Sequence, residues 1–246
     1  LTKTRYFEGL NDQDKVFCNA YMNFIKKLIN VMPTVKITPD NKIFHVGESH
    51  CLSYAHNILS VEKQKMQIFP TITFGAKAYH FSKNGENAFK EITKRNLDAF
   101  PKKSYVFISF GEIDCRSNEG LNKIIIRDKL NLTDLVNNTV RGYVNWFKNV
   151  NKKNNHRYYF FNLPAPVYQK EETKIENQEC ASRIALFNET LKAVVRKNNF
   201  FLIDVYKHTQ KEDGFSNELH HCDNRHLKNT ILPIIEKQLN ESLKLA

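Results

Sequence analysis

The sequence is poor in glycine and proline, with eight and seven among its 246 residues, about half the usual share. That scarcity argues against a collagen repeat, a flexible linker protein and a turn-dense all-β sandwich. Its five cysteines are Cys18, Cys51, Cys115, Cys180 and Cys222, odd in number and widely spaced, with no Cys-x-x-Cys pair. A disulfide framework and a zinc ribbon are therefore not expected, and free thiols fit a reducing, cytoplasmic compartment. No apolar run reaches the ~18 residues of a membrane helix, and the mean hydropathy is −0.52. The chain opens at Leu1 without a charged-then-apolar leader, which is also what a piece cut from a longer protein would show.

Acidic residues are the minority. Lysine and arginine number 37 against 26 aspartates and glutamates, a formal charge of +11. Such a surface favours anionic partners, among them nucleic acid, phosphates and acidic glycans. Hydrophobic residues make up 41% and aromatics 12%, enough to bury a core.

Lys15 to Met32 places Phe17, Tyr21, Phe24, Ile25, Leu28, Ile29 and Met32 at three- and four-residue steps, which predicts one helix with an apolar face. Pro33 stops it and a linker follows through Pro39. Residues 1–40 thus form a helical extension or linker, and residues 41–246 the main domain. After Lys42, short apolar runs alternate with longer helical stretches. Strands are predicted at Lys42–Val46, Lys65–Thr71 (ended by Pro70), Tyr105–Phe110, Tyr158–Leu163 and Phe200–Val205. Helices are predicted at Cys51–Leu59, Ala88–Phe100, Leu132–Val150, Glu179–Lys197 and Leu227–Leu243. This alternation implies βαβ crossovers and an α/β fold: a three-layer α/β/α sandwich around a five-stranded parallel sheet of flavodoxin-like order. In such sheets ligands bind beyond the carboxyl ends of the strands.

Three polar clusters fall at those ends. The first strand runs into Gly47-Glu48-Ser49-His50, the third into Gly111-Glu112-Ile113-Asp114-Cys115-Arg116, and a loop after the fifth carries Asp223-Asn224-Arg225-His226 at the start of the last helix. A serine on a glycine-opened strand-to-helix turn exposes its hydroxyl and aims the next amides at any negative charge that forms there. Serine needs a base within reach. Asp223 and His226, three residues apart, share one side of a helical turn, so the carboxylate can hold the imidazole in the required tautomer. Serine, histidine and aspartate together supply the roles of an acyl-transfer triad.

These blocks, in this order, resemble the SGNH (GDSL-type) hydrolase superfamily over roughly Lys42 to Leu243. The resemblance implies a three-layer α/β fold with Ser49 as nucleophile, Glu48 standing in place of the usual aspartate, His226 as base and Asp223 as its orienting acid. It implies that Gly75, in Thr71-Ile72-Thr73-Phe74-Gly75, joins Ser49 in the oxyanion hole. It also puts the family's oxyanion asparagine at Ile113, which has no donor. Arg116 is a candidate replacement, with an ion pair to Glu48 or Glu112 as its alternative. Asp114 could orient its loop by accepting backbone N–H groups. The implied activity is serine-dependent cleavage of O-acyl esters on a carbohydrate or polysaccharide, an acidic one suiting the basic surface. The same triad would serve an O-acetyltransferase fed by acetyl-CoA or another acyl donor; otherwise no cofactor is implied.

Other constellations compete. His50, Cys51, Cys115, His220, His221 and Cys222 hold metal-ligand atoms, but their spacing matches no structural-zinc pattern, and small buried thiols are the expectation. His45 reads as a core histidine. A basic nucleic-acid-binding module is the non-enzyme alternative, although pairs such as Lys102-Lys103 and Lys152-Lys153 are scattered and no binding motif occurs.

Overall fold

A computed structural model describes residues 11–31 and 40–244. The elements along the chain are α1 (Asp12–Val31), β1 (Lys42–Gly47), β2 (Ile58–Val61), β3 (Gln64–Ile72), α2 (Ala78–Ser82), α3 (Ala88–Ala99), β4 (Tyr105–Ser109), α4 (Glu112–Cys115), α5 (Gly120–Asp128), α6 (Leu132–Asn151), β5 (Arg157–Phe161), α7 (Lys174–Lys197), β6 (Phe201–Ile203), α8 (Tyr206–Thr209) and α9 (Leu232–Leu243). The Pro33 stop and the linker to Pro39 lie outside the described residues.

The sheet has six strands in the order β2-β3-β1-β4-β5-β6. β3, β1, β4, β5 and β6 run parallel, the flavodoxin-like order expected. The sixth strand corrects the predicted count. β2 pairs antiparallel with β3, and its first two residues, Ile58 and Leu59, take the end of the Cys51–Leu59 segment predicted to be helical. Only a single 3-10 turn, Ser49–Leu52, forms there. His56 then takes a left-handed φ of 61°, its amide bonds the carbonyl of Ile68, and the chain enters the hairpin.

Pro70 does not end β3, which runs on to Ile72. Gln67, and Thr73 just past the end of this strand, turn their amides toward the β1 side, onto the carbonyls of Asn41 and Gly47. Pro70 therefore turns its nitrogen to the other side, where β2 has already ended, and no ladder bond is lost.

Alternation along the strands covers both faces. Val106, Ile108, Tyr158 and Phe160 face a core with α6 and α7, where Val140, Tyr143, Phe147 and Phe187 are fully buried. Phe107, Tyr159 and Phe161 face the opposite core with Leu232, Ile235 and Leu239 of α9. Two covered faces make the three-layer sandwich and explain why these strands read as continuous apolar runs. α1 buries Phe24 and Leu28, whereas Ile29 of its predicted apolar face is 55% exposed.

Gly111, between β4 and α4, has φ +130°, and a Cβ there would lie 2.5 Å from the ring of the buried Phe187. Gly111→Ala combines backbone strain with overpacking, each of about 1–3 kcal/mol. Chemical denaturation is expected to show a loss of about 3 kcal/mol; a change within about 0.5 kcal/mol would mean that this turn relaxes freely.

Candidate active site

β1 lies at the switch point of the sheet, with β3 on one side and β4 on the other, the position where open α/β sheets gather their ligands. Ser49 opens the turn that leaves it. Glu48 caps that turn, accepting the His50 amide at 3.3 Å.

Ser49 Oγ lies 2.9 Å from Nε2 of His226, although 177 residues separate them. On the far side of the ring, Nδ1 lies 2.9 Å from Oδ2 of Asp223. Asp223 Oδ1 accepts the backbone amides of Arg225 at 2.8 Å and His226 at 2.7 Å. Burial opposes ionisation of Asp223, but these bonds outweigh it and hold the carboxyl well below its ordinary range. Burial lowers the pKa of His226; the Asp223 hydrogen bond raises it and the His50 charge lowers it, leaving it below the usual value. The ring is thus a neutral imidazole at pH 7, with Nδ1–H held by the acid and the Nε2 lone pair toward the hydroxyl.

Asp223 and His226 do not begin the last helix, as the spacing predicted. They sit on a small hairpin, closed by the Cys222 amide on the His226 carbonyl at 2.9 Å and the Lys228 amide on the His220 carbonyl at 2.8 Å; α9 starts at Leu232. A side chain accepting amides two and three positions ahead is also how an N-cap reads, so the pattern cannot tell the two apart.

Arg116 is committed to ion pairs. Its guanidinium lies 2.6 Å from Glu112, which also takes Arg225 at 2.9 Å, and 3.1 Å from Glu119. Glu112 therefore ties α4 to the hairpin that carries His226. Burial opposes its charge, yet Arg116 and Arg225 hold its pKa far below the ordinary carboxylate value. Asp114 is fully buried and accepts the amides of Ala78 at 2.7 Å and Tyr79 at 3.0 Å. Burial lifts its pKa to about 7 against the pull of those amides. It anchors the start of α2, and hence the Gly75 turn, where φ is +67°.

Ser49, Gly75, Ile113, Arg116, Asp223 and His226 all line one cleft of about 540 Å³. Its other wall was not foreseen in the sequence. α1 contributes Val16, Tyr21 and Phe24. Phe24 stacks on the His226 ring with centroids 3.6 Å apart, and Tyr21 packs edge-on to Phe74 at 5.0 Å. The apolar periodicity of α1 was visible; what it covered was not.

The alternative histidine and cysteine set is dispersed. His220 pairs with Thr230 and His221 with Ser216, and Cys51 and Cys115 are buried thiols whose pKa burial raises. Among the described residues no group of three or more such side chains is placed to hold a metal ion. His45 is fully buried on β1, with Nε2 at 2.9 Å from Ser109 Oγ.

No family model and no curated protein matches the chain. Solved structures do. A GDSL-like lipase from Bacteroides thetaiotaomicron superposes with a TM-score of 0.54 at 14% identity, covering 92% of this chain and 97% of that one. The chain has the SGNH hydrolase fold. An acetyl xylan esterase superposes with a TM-score of 0.50 at 13% identity over 82% of this chain and 98% of its own. At such identities the likeness is one of architecture.

Proposed function

We propose that this chain is a serine-dependent acyl-ester hydrolase. The observation that carries the reading is the unbroken line from Ser49 Oγ through His226 to Asp223, with both gaps at 2.9 Å. Ser49 Oγ attacks the ester carbonyl while its proton passes to Nε2 of His226. The tetrahedral oxyanion is received by the amides of Ser49 and Gly75. Ile113 faces the cleft where the family's asparagine donor would stand, and a missing donor is worth about 2.7–4 kcal/mol in the transition state. The Arg116 cation lines the same cleft but is held by two carboxylates, so it lends positive potential rather than a dedicated donor. Collapse breaks the ester C–O bond, and the leaving alcohol takes the proton from Nε2. Water then attacks the acyl-enzyme, gives its proton to His226, and frees the acid and Ser49.

The substrate class we assign is an O-acylated carbohydrate. The cleft is lined by the aromatic Tyr21 and Phe74 together with the charged Lys77, Glu119 and Arg225, the mixture that orients a polar ligand. A formal charge of +11 favours an acidic glycan, and one protein of the same architecture is an acetyl xylan esterase. Transfer to a sugar hydroxyl would use the same triad, with the acceptor in place of water.

A fluorophosphonate probe is expected to label the native chain and to spare Ser49→Ala; absence of labelling on the native chain would overturn the reading. Acetate release from an acetylated acidic glycan, faster than from an aryl acetate, supports the carbohydrate assignment, and the reverse order counts against it.

A further inference from the structure

Behind Ser49 lies a second carboxylate and imidazole that the triad does not use. Glu48 Oε2 accepts from Ser49 Oγ at 2.7 Å, and Glu48 Oε1 lies 2.6 Å from Nδ1 of His50. The other nitrogen of His50, Nε2, lies 3.1 Å from the carbonyl oxygen of Arg225. A carboxylate and a carbonyl are acceptors only, so both contacts are hydrogen bonds only if His50 carries both ring protons. The pair is buried, with Glu48 1% and His50 8% exposed, and the His50 and His226 rings lie 4.7 Å apart.

This arrangement gives the single hydroxyl hydrogen of Ser49 two acceptors, Glu48 Oε2 and His226 Nε2. With His226 neutral, the two compete. With His226 protonated, Nε2–H donates to Oγ and Oγ–H donates to Glu48, and every group is satisfied. That second state is inactive, because the base already holds a proton. An unbalanced carboxylate at Glu48 would stabilise it.

We infer that His50 is a positioning residue that keeps His226 available as the base: as a fixed cation it neutralises Glu48, disfavours a second positive charge on the neighbouring imidazole, and pins the catalytic hairpin through the Arg225 carbonyl. The inference rests on the reading of His226 as the base for Ser49. It also gives a reason for the Ser-His order in the motif.

The surrounding charges agree. Burial opposes the charge on His50, but Glu48, then Glu112 and the Arg225 carbonyl, lift its pKa to about 9. Facing Glu48 are His50, Glu112, Asp114, Arg116 and His45, together with Tyr21, Cys51 and Tyr143, which burial keeps protonated. His45 is neutral, its pKa pressed by burial to about 3. His226 faces Asp223, His50, Glu48 and His221, the last neutral with a pKa near 4. His50 is the cation whose charge acts on the His226 ring, whereas Arg116 and Arg225 are neutralised by Glu112.

The test is the titration of the His226 ring by nitrogen NMR in the full chain, with the acid limb of kcat/KM for an aryl acetate beside it. His50→Gln removes the charge and keeps one NH₂ donor, which can serve Glu48 or the Arg225 carbonyl but not both ends at once. The His226 midpoint and the acid limb are expected to move up by about one pH unit. In Glu48→Gln/His50→Gln, where carboxylate and cation are both gone, they are expected to return most of the way. Coincident titrations of native chain and His50→Gln would overturn the inference, as would a double variant that stays shifted. If His50→Gln does not fold, the native chain decides: His50 must carry both ring protons at pH 7.5, and a neutral ring there overturns the inference. The NMR arm needs no turnover. Silence of the native chain toward phosphonate and aryl ester would sink the hydrolase reading while leaving the His50 titration measurable.

Discussion

Asp223→Asn is expected to lower kcat for ester hydrolysis by about 10⁴-fold, and Ser49→Ala or His226→Ala by about 10⁶-fold. The reason for the first lies in how the two carboxylate oxygens divide their work. Oδ1 accepts the backbone amides of Arg225 and His226, while Oδ2 takes the closer contact to Nδ1 of the ring. In the asparagine variant the oxygen stays with the two amides, because only an acceptor fits there. The NH₂ group is then turned onto Nδ1. The imidazole must answer as an acceptor at Nδ1, which moves its proton to Nε2, against the serine hydroxyl it has to deprotonate. The fold is retained, the tautomer is wrong, and the loss falls on kcat with KM nearly unchanged. Because the three groups act as a unit, Ser49→Ala/His226→Ala is expected to lose little more than either single variant. Steady-state kinetics with active-site titration measures all four proteins. A residual kcat for Asp223→Asn within tenfold of the native value would mean that Asp223 is a loop cap and no more.

The sheet and the meeting of Ser49, His226 and Asp223 were legible in the sequence for different reasons. β1, β4 and β5 are buried on both faces, so they appear as unbroken apolar runs such as Tyr105-Val106-Phe107-Ile108-Ser109. α6 and α7 bury one stripe, but the Thr173–Glu176 capping box that opens α7 was passed over, and the predicted start at Glu179 falls five residues past the observed start at Lys174. β2 gave no such signal. It has four residues, and its two-residue turn onto β3 uses Glu62 and Lys63 at φ 50° and 67°, where Asn-Gly would have been the recognisable choice. Ile58 and Leu59 were therefore read as the end of a helix. The triad could be read because each member sits beside a turn with its own local pattern. The cleft wall could not: Phe24 meets His226 by stacking although they stand 202 positions apart in sequence, and no local pattern encodes that contact. Glu48 and His50 were visible as neighbours of Ser49, but only the geometry reveals that both face the same hydroxyl and hairpin.

Removal of the buried carboxylate at position 112 is expected to have the largest effect on stability. Glu112 bonds Arg116 through Nε at 2.9 Å and Nη2 at 2.6 Å, and it holds Arg225 Nη1 at 2.9 Å. Glu112→Gln leaves two guanidiniums facing an amide that can accept from them only through its oxygen. Glu119 still meets Arg116 at 3.1 Å, so the unpaired charge falls mainly on Arg225, the neighbour of His226. Breaking a buried pair in this way costs about 3–5 kcal/mol, which denaturant unfolding at pH 7 would register. The pH dependence carries a definite sign. The folded-state pKa of Glu112 is depressed from 4.5 by the two arginines, which overcome the opposing effect of burial. Its contribution is complete above about pH 4.5 and declines below it, because the unfolded carboxylate takes up a proton that the folded one does not, until pH falls through the depressed folded pKa. The gap between native chain and variant should therefore narrow from pH 7 to pH 3. His50 behaves oppositely: its pKa is raised, so its share is complete below about 6.5 and is lost as pH rises through about 9. The cluster as a whole therefore contributes most between these limits, near pH 5–6. A gap of the same size at pH 3 and pH 7 would show that Glu112 acts through packing and not through its charge.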